Sequence, residues 1–354
     1  MINDNNQANK RIIWDLWHAI DSAEVTELPS VLAVAFHDSV DWKGFQPVNE
    51  LPGIDAVVDG FWAPLRRSFP DLQRETHVFM GGTSGGDQWV SGLGYLTGTF
   101  VADWVGIPAT GKKTNLRFGQ FYAMRDGRVA ESFLIIDVPA VMRQAGYDVL
   151  PPSTGRIGGK VPGPATRDGI LLDPQDPAVS LHTARVLAAM VAGHARYDRV
   201  RDGADLSRMG HEEFWHPDMK WYGATGIGSS LDLPQFKDFH QWPWLRSFGD
   251  RGLEVQGGRG IGIDPDDLLV EGEYAALGVW DSPFSVNYQD FLDVPATGRV
   301  TTMRDFDWYR VEDGLIVENW VPMDVIDILL QMGVDVFEVL RRKVEERRTK
   351  RWFE

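Results

Sequence analysis

The residues that could exchange a proton with a substrate are concentrated in the last third of the chain, close to a predicted hairpin. Asp313-Gly314 is flanked by alternating residues, a pattern typical of a two-residue turn between antiparallel strands. Pairing around this turn predicts that Asp307 opposes Trp320. A carboxyl group beside aromatic rings is desolvated, which raises its pKa and makes it a usable general acid or base near neutral pH. Asp307 is therefore a candidate catalytic residue.

The alternation of side chains along the two predicted strands divides the hairpin into two faces. Arg304 is predicted on the face opposite to Asp307, where it could orient an anionic substrate oxygen or pair with a neighbouring acid. A solvated sheet edge is the alternative for the acids, so the burial of Asp307 decides between the two interpretations. The predicted face of Asp307 consists of Met303, Asp305, Asp307, Tyr309, Glu318, Trp320 and Asp324.

This hairpin belongs to the second of two similar segments, which indicates an internal duplication. Ile107–Gly146 and Val294–Gly333 align without a gap at an offset of 187, and 14 of the 40 positions are identical. An earlier block aligns in the same order at an offset of 179. Two colinear blocks are not expected by chance, so we predict two copies of one domain. The earlier block pairs Phe36-His37 with Trp215-His216, Trp42 with Trp221, and Ser68-Phe69 with Ser247-Phe248.

The region between the copies has the composition of a linker. Residues 151–178 are dense in Pro and Gly and lack apolar periodicity. We therefore predict a first copy at residues 1–150, a linker at 151–178 and a second copy at 179–354. Each copy begins with an amphipathic stretch and ends in strand-like hairpin segments, an order that favours an α+β fold. The chain itself is predicted to end in one helix from Asp324 to about Arg348.

The two copies differ at the positions that could do chemistry. Gln120 stands in the first copy where the second has Asp307, and an amide cannot exchange protons at neutral pH. Phe61 similarly stands where the second copy has His240, which lies in the aromatic segment FKDFHQWPWLRSF. The first copy is therefore predicted to be degenerate and the second to be the active one. The matched residues His37 and His216 could be pocket groups, or core histidines with ordinary hydrogen bonds.

Composition excludes several other classes of function. The net charge of −16 disfavours nucleic acid and anionic membranes as partners, and the absence of cysteine removes thiol chemistry and disulfides. His211 and His216 are five residues apart, which does not match a zincin helix. The glycine-rich stretches at 226–230 and 257–262 do not match nucleotide-binding fingerprints. We expect no metal and no cofactor, and a cytoplasmic protein without a signal peptide or a membrane-spanning segment.

The run PATGRVTTMRDFDWYRVEDGLIVENWVPMDVIDILLQMG resembles the closing segment of SnoaL-like polyketide cyclases, which belong to the superfamily named after nuclear transport factor 2. The segment GIGSSLDLPQFKDFHQWPWLRSFGDR resembles the helix that precedes the long strands of that family. The resemblance covers most of residues 179–341 and, more weakly, residues 11–150. It implies two tandem cone-shaped α+β barrels, each a curved antiparallel sheet wrapped around helices. It also implies an intrachain pseudo-dimer and leaves a further homodimer open.

By motif position the resemblance matches Asp307 and Asp324 to the acids of the family and makes His240 and Trp320 pocket groups, and in the first copy it matches Asp137, whereas Gln120 departs from the acidic pattern. With the other residues that the sequence singles out, they form three sets. The catalytic set is Asp307, Asp324 and His240. The substrate-binding set is His216, Trp221, Trp242, Arg304, Tyr309 and Trp320. The matching first-copy pocket consists of His37, Trp42, Gln120, Tyr122 and Asp137.

The implied activity is acid–base chemistry without a cofactor, such as an aldol-type ring closure on a small apolar or aromatic carbonyl compound. The resemblance does not select one reaction, because the superfamily contains cyclases, isomerases, dehydratases and pure binding domains. A dehydratase or epoxide hydrolase, and a non-catalytic small-molecule-binding module, are the alternatives. The observation that distinguishes an enzyme from a binding module is whether the side chains of His240, Asp307 and Asp324 point into one cavity.

Overall fold

A computed structural model describes residues 4–248 and 258–351 of the 354-residue chain. In each copy, helices precede a curved sheet, as the order of sequence patterns predicts. The helices of the first copy are α1 (Asp4–Ser22), α2 (Leu28–Ala35), α3 (Gly53–Val57), α4 (Ala63–Ser68) and α5 (Val138–Gln144). Its strands are β1 (Phe36–Gly44), β2 (Glu50–Pro52), β3 (Gln73–Ser84), β4 (Asp87–Thr99), β5 (Lys113–Arg125) and β6 (Arg128–Ile136).

The second copy repeats this order with small additions. Its described helices are α6 (Pro177–His194), α7 (Arg199–Asp202), α8 (Leu233–Phe236), α9 (Trp242–Phe248), α10 (Val325–Gln331) and α11 (Val336–Arg351). Its described strands are β7 (Trp215–Tyr222), β8 (Ser229–Ser230), β9 (Arg259–Ile261), β10 (Leu269–Glu271), β11 (Tyr274–Val286), β12 (Val300–Glu312) and β13 (Leu315–Trp320).

Both sheets have the same core topology. The order is β2-β1-β6-β5-β4-β3 in one sheet and β10-β11-β12-β13-β7-β8 in the other, with β9 paired to β11. The turns at Asp126-Gly127 and Asp313-Gly314 have positive φ at both residues, which confirms the two predicted hairpins. One pair in each sheet is parallel, β1 with β6 and β7 with β13. These strands are far apart in sequence and no tight turn fixes their relative direction.

A β-bulge makes part of the predicted hairpin register wrong. Near the turn Val311 opposes Ile316, but beyond the bulge Arg310 opposes Glu318 and Trp308 opposes Trp320. The extra residue on β13 shifts the pairing by one position and moves every later side chain of that strand to the other face. Glu318 and Trp320 therefore lie on the face opposite to Asp307.

The helix that precedes the long strands contains a π-helical turn in each copy. Residues Val58–Trp62 join α3 to α4, and Lys237–Gln241 join α8 to α9. Such turns are rare and occur often at functional sites. The terminal helix is also interrupted, since α10 ends at Gln331 and α11 starts at Val336, with Gly333 at a φ of 92° between them. The single long terminal helix was therefore a wrong prediction.

The two sheets pack face to face inside the chain. Phe121 of β5 lies 4.8 Å from Phe306 and 5.0 Å from Trp308 of β12, measured between ring centroids. The indole of Trp308 donates to the hydroxyl of Ser91, 3.2 Å away on β4. Phe133 and Trp280 extend the same contact. The packing of one copy's sheet on the other agrees with the pseudo-dimer implied by the resemblance.

The segment between the copies makes specific contacts with both of them. The carbonyl of Pro162 accepts a hydrogen bond from the indole of Trp320 at 2.9 Å. Ile170 forms a parallel bridge with Phe79, and Arg156 forms an antiparallel bridge with Ser229. The proline- and glycine-rich residues 151–178 are therefore held in place by contacts with both copies, and we call this segment the strap.

Candidate functional site

The second copy encloses a cavity of about 540 Å³ between its sheet and its helices. The floor is formed by β12 and β13, and one wall is the helical segment that contains the π turn. Rings and aliphatic side chains dominate the lining, with a few polar groups among them, as is typical of small-molecule sites. The polar groups are Asp305, Asp307, Tyr309, Asn319, His194, His240 and Gln241. The main apolar groups are Trp215, Trp221, Trp244, Phe236, Met190, Met303 and Leu277.

Asp307 lies on the cavity face of β12, partly buried. The amide of Asn319 on the neighbouring strand donates to Asp307 Oδ1 at 3.0 Å and to the carbonyl of Trp308 at 3.1 Å. Asn319 is thus fixed at two points and holds the carboxylate in one orientation. Asp305, two residues earlier on the same strand, is 9% exposed and lines the same cavity. Strand alternation places the two acids side by side on this face.

His240 lines the cavity from the π-helical turn. Its imidazole stacks on Trp221 with ring centroids 3.9 Å apart and planes 20° apart, and the indole of Trp244 is 6.2 Å away at an angle of 29°. The ring therefore packs among aromatic side chains. The structure thus brings Asp307 and His240 to one cavity, together with the predicted pocket residues Trp221 and Tyr309.

Asp324 does not line this cavity, which corrects its expected place beside Asp307 and His240. Its Oδ1 accepts from the backbone N–H of Asp327 and caps α10, and its Oδ2 accepts from the N–H of Gln46 in the first copy at 2.8 Å. Burial and the nearby Asp327 carboxylate raise the pKa of Asp324 to about 7, against the lowering effect of Gln46 and Arg304. The geometry is that of a cap and an inter-copy contact.

Four predicted substrate-binding residues also lie outside the cavity lining. Arg304 is at the copy interface and pairs with Asp281, with nitrogen and oxygen 2.7 Å apart. Trp320 packs under the linker because of the bulge. His216 accepts from the N–H of Asp218, and Trp242 packs in a separate apolar cluster with Leu245. Trp244, not Trp242, supplies the helical indole of the cavity.

The first copy has two rings and an amide at the matching positions. Phe118, Gln120 and Phe61 replace Asp305, Asp307 and His240, so each of these three proton-exchanging groups is lost. Trp17 of α1 fills the space next to them and donates to the hydroxyl of Tyr122 at 2.7 Å. Trp42 is 1% exposed and packs on Phe61.

Two other residues of the predicted first-copy pocket lie elsewhere. His37 has its Nε2 3.0 Å from the carbonyl oxygen of Arg125, at the far end of the sheet. Asp137 caps α5 and accepts from the N–H of Thr225 in the second copy. Asp137 is thus the first-copy equivalent of the Asp324 cap. The first copy supports the fold, and its interior offers none of the three chemical groups of the second.

Asn319, Trp215 and Trp244 were missed by the sequence analysis. Trp244 follows His240 by four residues, so helical periodicity could have placed both on one face. Trp215 begins β7 and lies six residues before Trp221, so strand alternation could have placed both indoles on one face. Asn319 was assigned to the other face because the bulge was not predicted.

A partly buried carboxylate and an imidazole in a ring-lined cavity can transfer protons on a bound apolar molecule. Within residues 4–248 and 258–351, no three His, Asp or Glu side chains are placed to hold a metal ion. In the same ranges, none of the helices has the length and apolar character that crossing a bilayer requires.

Comparison with known families identifies the duplicated domain. The model of the SnoaL-like polyketide cyclase family matches residues 14–145 and 261–332, which together are more than half of the chain. This chain belongs to the SnoaL-like polyketide cyclase family. The two matched segments fall in the two copies, so the chain carries the SnoaL-like domain twice. Comparison with curated proteins finds no match.

Several solved structures are similar to part of this SnoaL-like chain. A SnoaL-like protein of Jannaschia is 18% identical, covers 39% of this chain and 93% of its own length, and has a TM-score of 0.33. IdmH of Streptomyces antibioticus is 19% identical, with 39% and 98% covered and a TM-score of 0.33. A SnoaL-like polyketide cyclase of Agrobacterium tumefaciens is 14% identical, with 38% and 94% covered and a TM-score of 0.31.

Proposed function

We propose that the second copy is an acid–base enzyme of the SnoaL-like cyclase type that uses no cofactor. Its substrate would be a small apolar or aromatic carbonyl compound bound in the second-copy cavity. The observation that carries the proposal is the joint placement of Asp307 and His240 in one ring-lined cavity, at positions where the first copy has Gln120 and Phe61.

The cavity residues have roles that follow from their positions. Asp307 removes a proton from the carbon next to the substrate carbonyl, and Asn319 keeps its carboxylate oriented. His240 donates to the carbonyl oxygen, which develops negative charge as the enolate forms. In a ring closure the enolate carbon then attacks a second carbonyl of the same molecule. The resulting alkoxide takes up the proton that Asp307 removed, which regenerates the carboxylate and leaves no net gain or loss of protons or electrons. Isomerase or lyase outcomes need the same first step.

Proton exchange at carbon tests this proposal without the natural substrate. We would incubate the full-length chain with a panel of aromatic ketones in deuterated buffer and follow deuterium incorporation next to the carbonyl by NMR. Asp307→Asn keeps the size of the side chain, so the rate should fall by about 10²–10⁴-fold while the circular dichroism spectrum stays unchanged. Gln120→Met, the matched change in the first copy, should leave the rate within about two-fold.

Two outcomes would overturn the assignment. Exchange at the wild-type rate in Asp307→Asn would remove this carboxylate from the chemistry. Binding of the ketones, seen as quenching of the cavity tryptophans, with no exchange of any of them would favour a non-catalytic binding module. A dehydratase or hydrolase would release or add water, which the same NMR spectra would reveal as a new product.

A further inference from the structure

A buried arginine at the interface of the two copies has no carboxylate partner. Arg117 of β5 is 3% exposed, and its two terminal nitrogens donate to the carbonyls of Gly223 and Tyr222 at 2.7 and 2.8 Å. Its Nε has no hydrogen-bond partner, and Asp137, whose charge favours the charged form of Arg117, forms no ion pair with it within 4.0 Å. A buried charge is costly unless an opposite charge compensates it.

The matched arginine of the second copy is compensated fully. Arg304 has carboxylate oxygens of Asp281, Asp324 and Asp327 at 2.7, 3.7 and 3.8 Å. Its position in β12 corresponds to that of Arg117 in β5. Both copies therefore have an arginine at this position, but only the arginine of the second copy forms ion pairs with carboxylates of the chain.

Two of these three carboxylates have no equivalent in the first copy. Ala140 stands where the second copy has Asp327. Asp281 lies where the register of β11 against β12 shifts, whereas the equivalent strands β4 and β5 pair without a shift and so have no matching residue. The third equivalent, Asp137, accepts from the N–H groups of Ala140 and Thr225 at 3.1 and 3.0 Å, as Asp324 does from those of Asp327 and Gln46, but it forms no ion pair with Arg117.

A cavity of about 200 Å³ stands next to Arg117. It lies between the copies, under residues 153–161 of the strap, and its lining includes Arg143, Arg156 and Lys160 together with the carboxylate of Asp137. The hydroxyl of Ser153, which also lines the cavity, is buried and has no hydrogen-bond partner. Arg156 has no carboxylate within 4.0 Å among the residues that are described, whereas Lys160 pairs with Glu75 and Arg143 pairs with Asp148 at 3.6 Å. Such a group of cations is unexpected in a chain of net charge −16.

We propose that this inter-copy cavity binds a small oxyanion, a phosphate group or a carboxylate, as the counter-charge of Arg117. Guanidinium groups bind such oxygens through directed hydrogen bonds, and the unused Nε of Arg117 is one donor of that kind. Arg156 and the hydroxyl of Ser153 supply further donors from the strap. The ligand would contact the first copy, the strap and the second copy at once, so its binding would stabilise their association.

The test is calorimetric titration of the full-length chain with inorganic phosphate and, separately, with malonate. Saturable binding at one site per chain is expected for at least one of the two, which also identifies the preferred chemistry. Arg156→Gln should weaken that binding roughly ten-fold, because it removes one charge-assisted hydrogen bond from an exposed side chain. Arg341→Gln, which removes the same charge from the distant α11, should leave binding within about two-fold.

Arg117→Lys provides a second variant that keeps the charge and loses the planar group. It should also weaken binding roughly ten-fold, provided that circular dichroism shows an intact fold. The proposal is overturned if neither anion gives saturable binding at about 10 mM, or if binding occurs but is unchanged in Arg156→Gln. The ketone exchange assay reports on the second-copy cavity, so failure of the anion proposal and failure of the proposed function can be distinguished.

Discussion

Asp307 and its first-copy equivalent Gln120 each make a hydrogen bond to the residue twelve positions further along the chain. Asn319 donates to Asp307 at 3.0 Å, and Gln120 donates to Ser132 at 3.1 Å. The duplicated hairpin has thus kept a polar pair across β12 and β13, and across β5 and β6, while its chemistry has changed. In the second copy the pair consists of a carboxylate and an amide, whereas in the first copy it consists of an amide and a hydroxyl.

This relationship makes Asn319 a positioning residue whose removal can be tested. Asn319→Ser installs the first-copy side chain, which is too short to reach Asp307 across the strands. The carboxylate should lose its fixed orientation, and the exchange rate should fall by about ten-fold with little change in ketone affinity. Steady-state rates in the exchange assay would separate the two effects. An equal loss in Asn319→Ser and Asp307→Asn would instead mean that Asn319 itself takes part in the chemistry.

His240→Phe installs the first-copy residue at the π-helical turn. The phenyl ring can keep a ring contact with Trp221, as Phe61 does with Trp42 in the first copy at a centroid distance of 5.2 Å. We expect the free energy of unfolding to change by less than about 1 kcal/mol, because packing is preserved. The exchange rate should fall by about 10²-fold, because the proton donor is gone. Denaturant unfolding and the exchange assay check the two parts, and an unchanged rate would show that the imidazole serves only as packing.

The fold could be predicted from the sequence because its signals are local or repeated. The Asp-Gly turns fix the hairpins, and two colinear blocks reveal the duplication. The face on which each residue lies could not be predicted beyond the bulge, because one extra residue in β13 inverts the alternation without any Gly or Pro to mark it. The face of Asp307 was predicted correctly, because β12 contains no extra residue. Trp320 was assigned to the wrong face, because it follows the extra residue on β13.

The inter-copy contact should make the two copies unfold together. Trp308 is fully buried between the sheets, where it contacts Phe121 and donates to Ser91. Trp308→Ala would leave a cavity at this contact and should lower the free energy of unfolding by about 3–5 kcal/mol. Ser91→Ala removes only the hydrogen bond and should lower it by about 1 kcal/mol. Denaturant unfolding followed by fluorescence and circular dichroism measures both, and two separate transitions in the wild type would contradict a shared core.

Asp324 shows why a matching acid in a sequence motif is weak evidence for catalysis. The motif conserves an aspartate in both copies, and both Asp137 and Asp324 cap the helix that follows the last long strand. Each also accepts from a backbone N–H of the other copy, Thr225 or Gln46. A cap needs a short carboxylate at this position for structural reasons. Only the position of the second copy relative to the first, which the sequence does not specify, reveals the inter-copy role.

The same carboxylate predicts a pH dependence of stability. The folded-state pKa of Asp324 is about 7, whereas the ordinary value is 3.8, because burial and the charge of Asp327 disfavour the ionised form. Between these two values the folded state holds a proton that the unfolded state has released, so this group lowers the free energy of unfolding as pH rises. The loss is complete above about pH 7 and amounts to ~2–4 kcal/mol.

Asp324→Asn isolates this contribution, because the amide stays neutral at every pH in the window. Its free energy of unfolding relative to the wild type should therefore rise by ~2–4 kcal/mol between about pH 4 and pH 8. Asp327→Asn removes the neighbouring charge, so the window of the wild-type Asp324 should move towards lower pH. Urea unfolding at several pH values measures both variants. Parallel pH curves for the wild type and Asp324→Asn would show that this carboxylate is ionised throughout, with Arg304 compensating its burial at the contact between the copies.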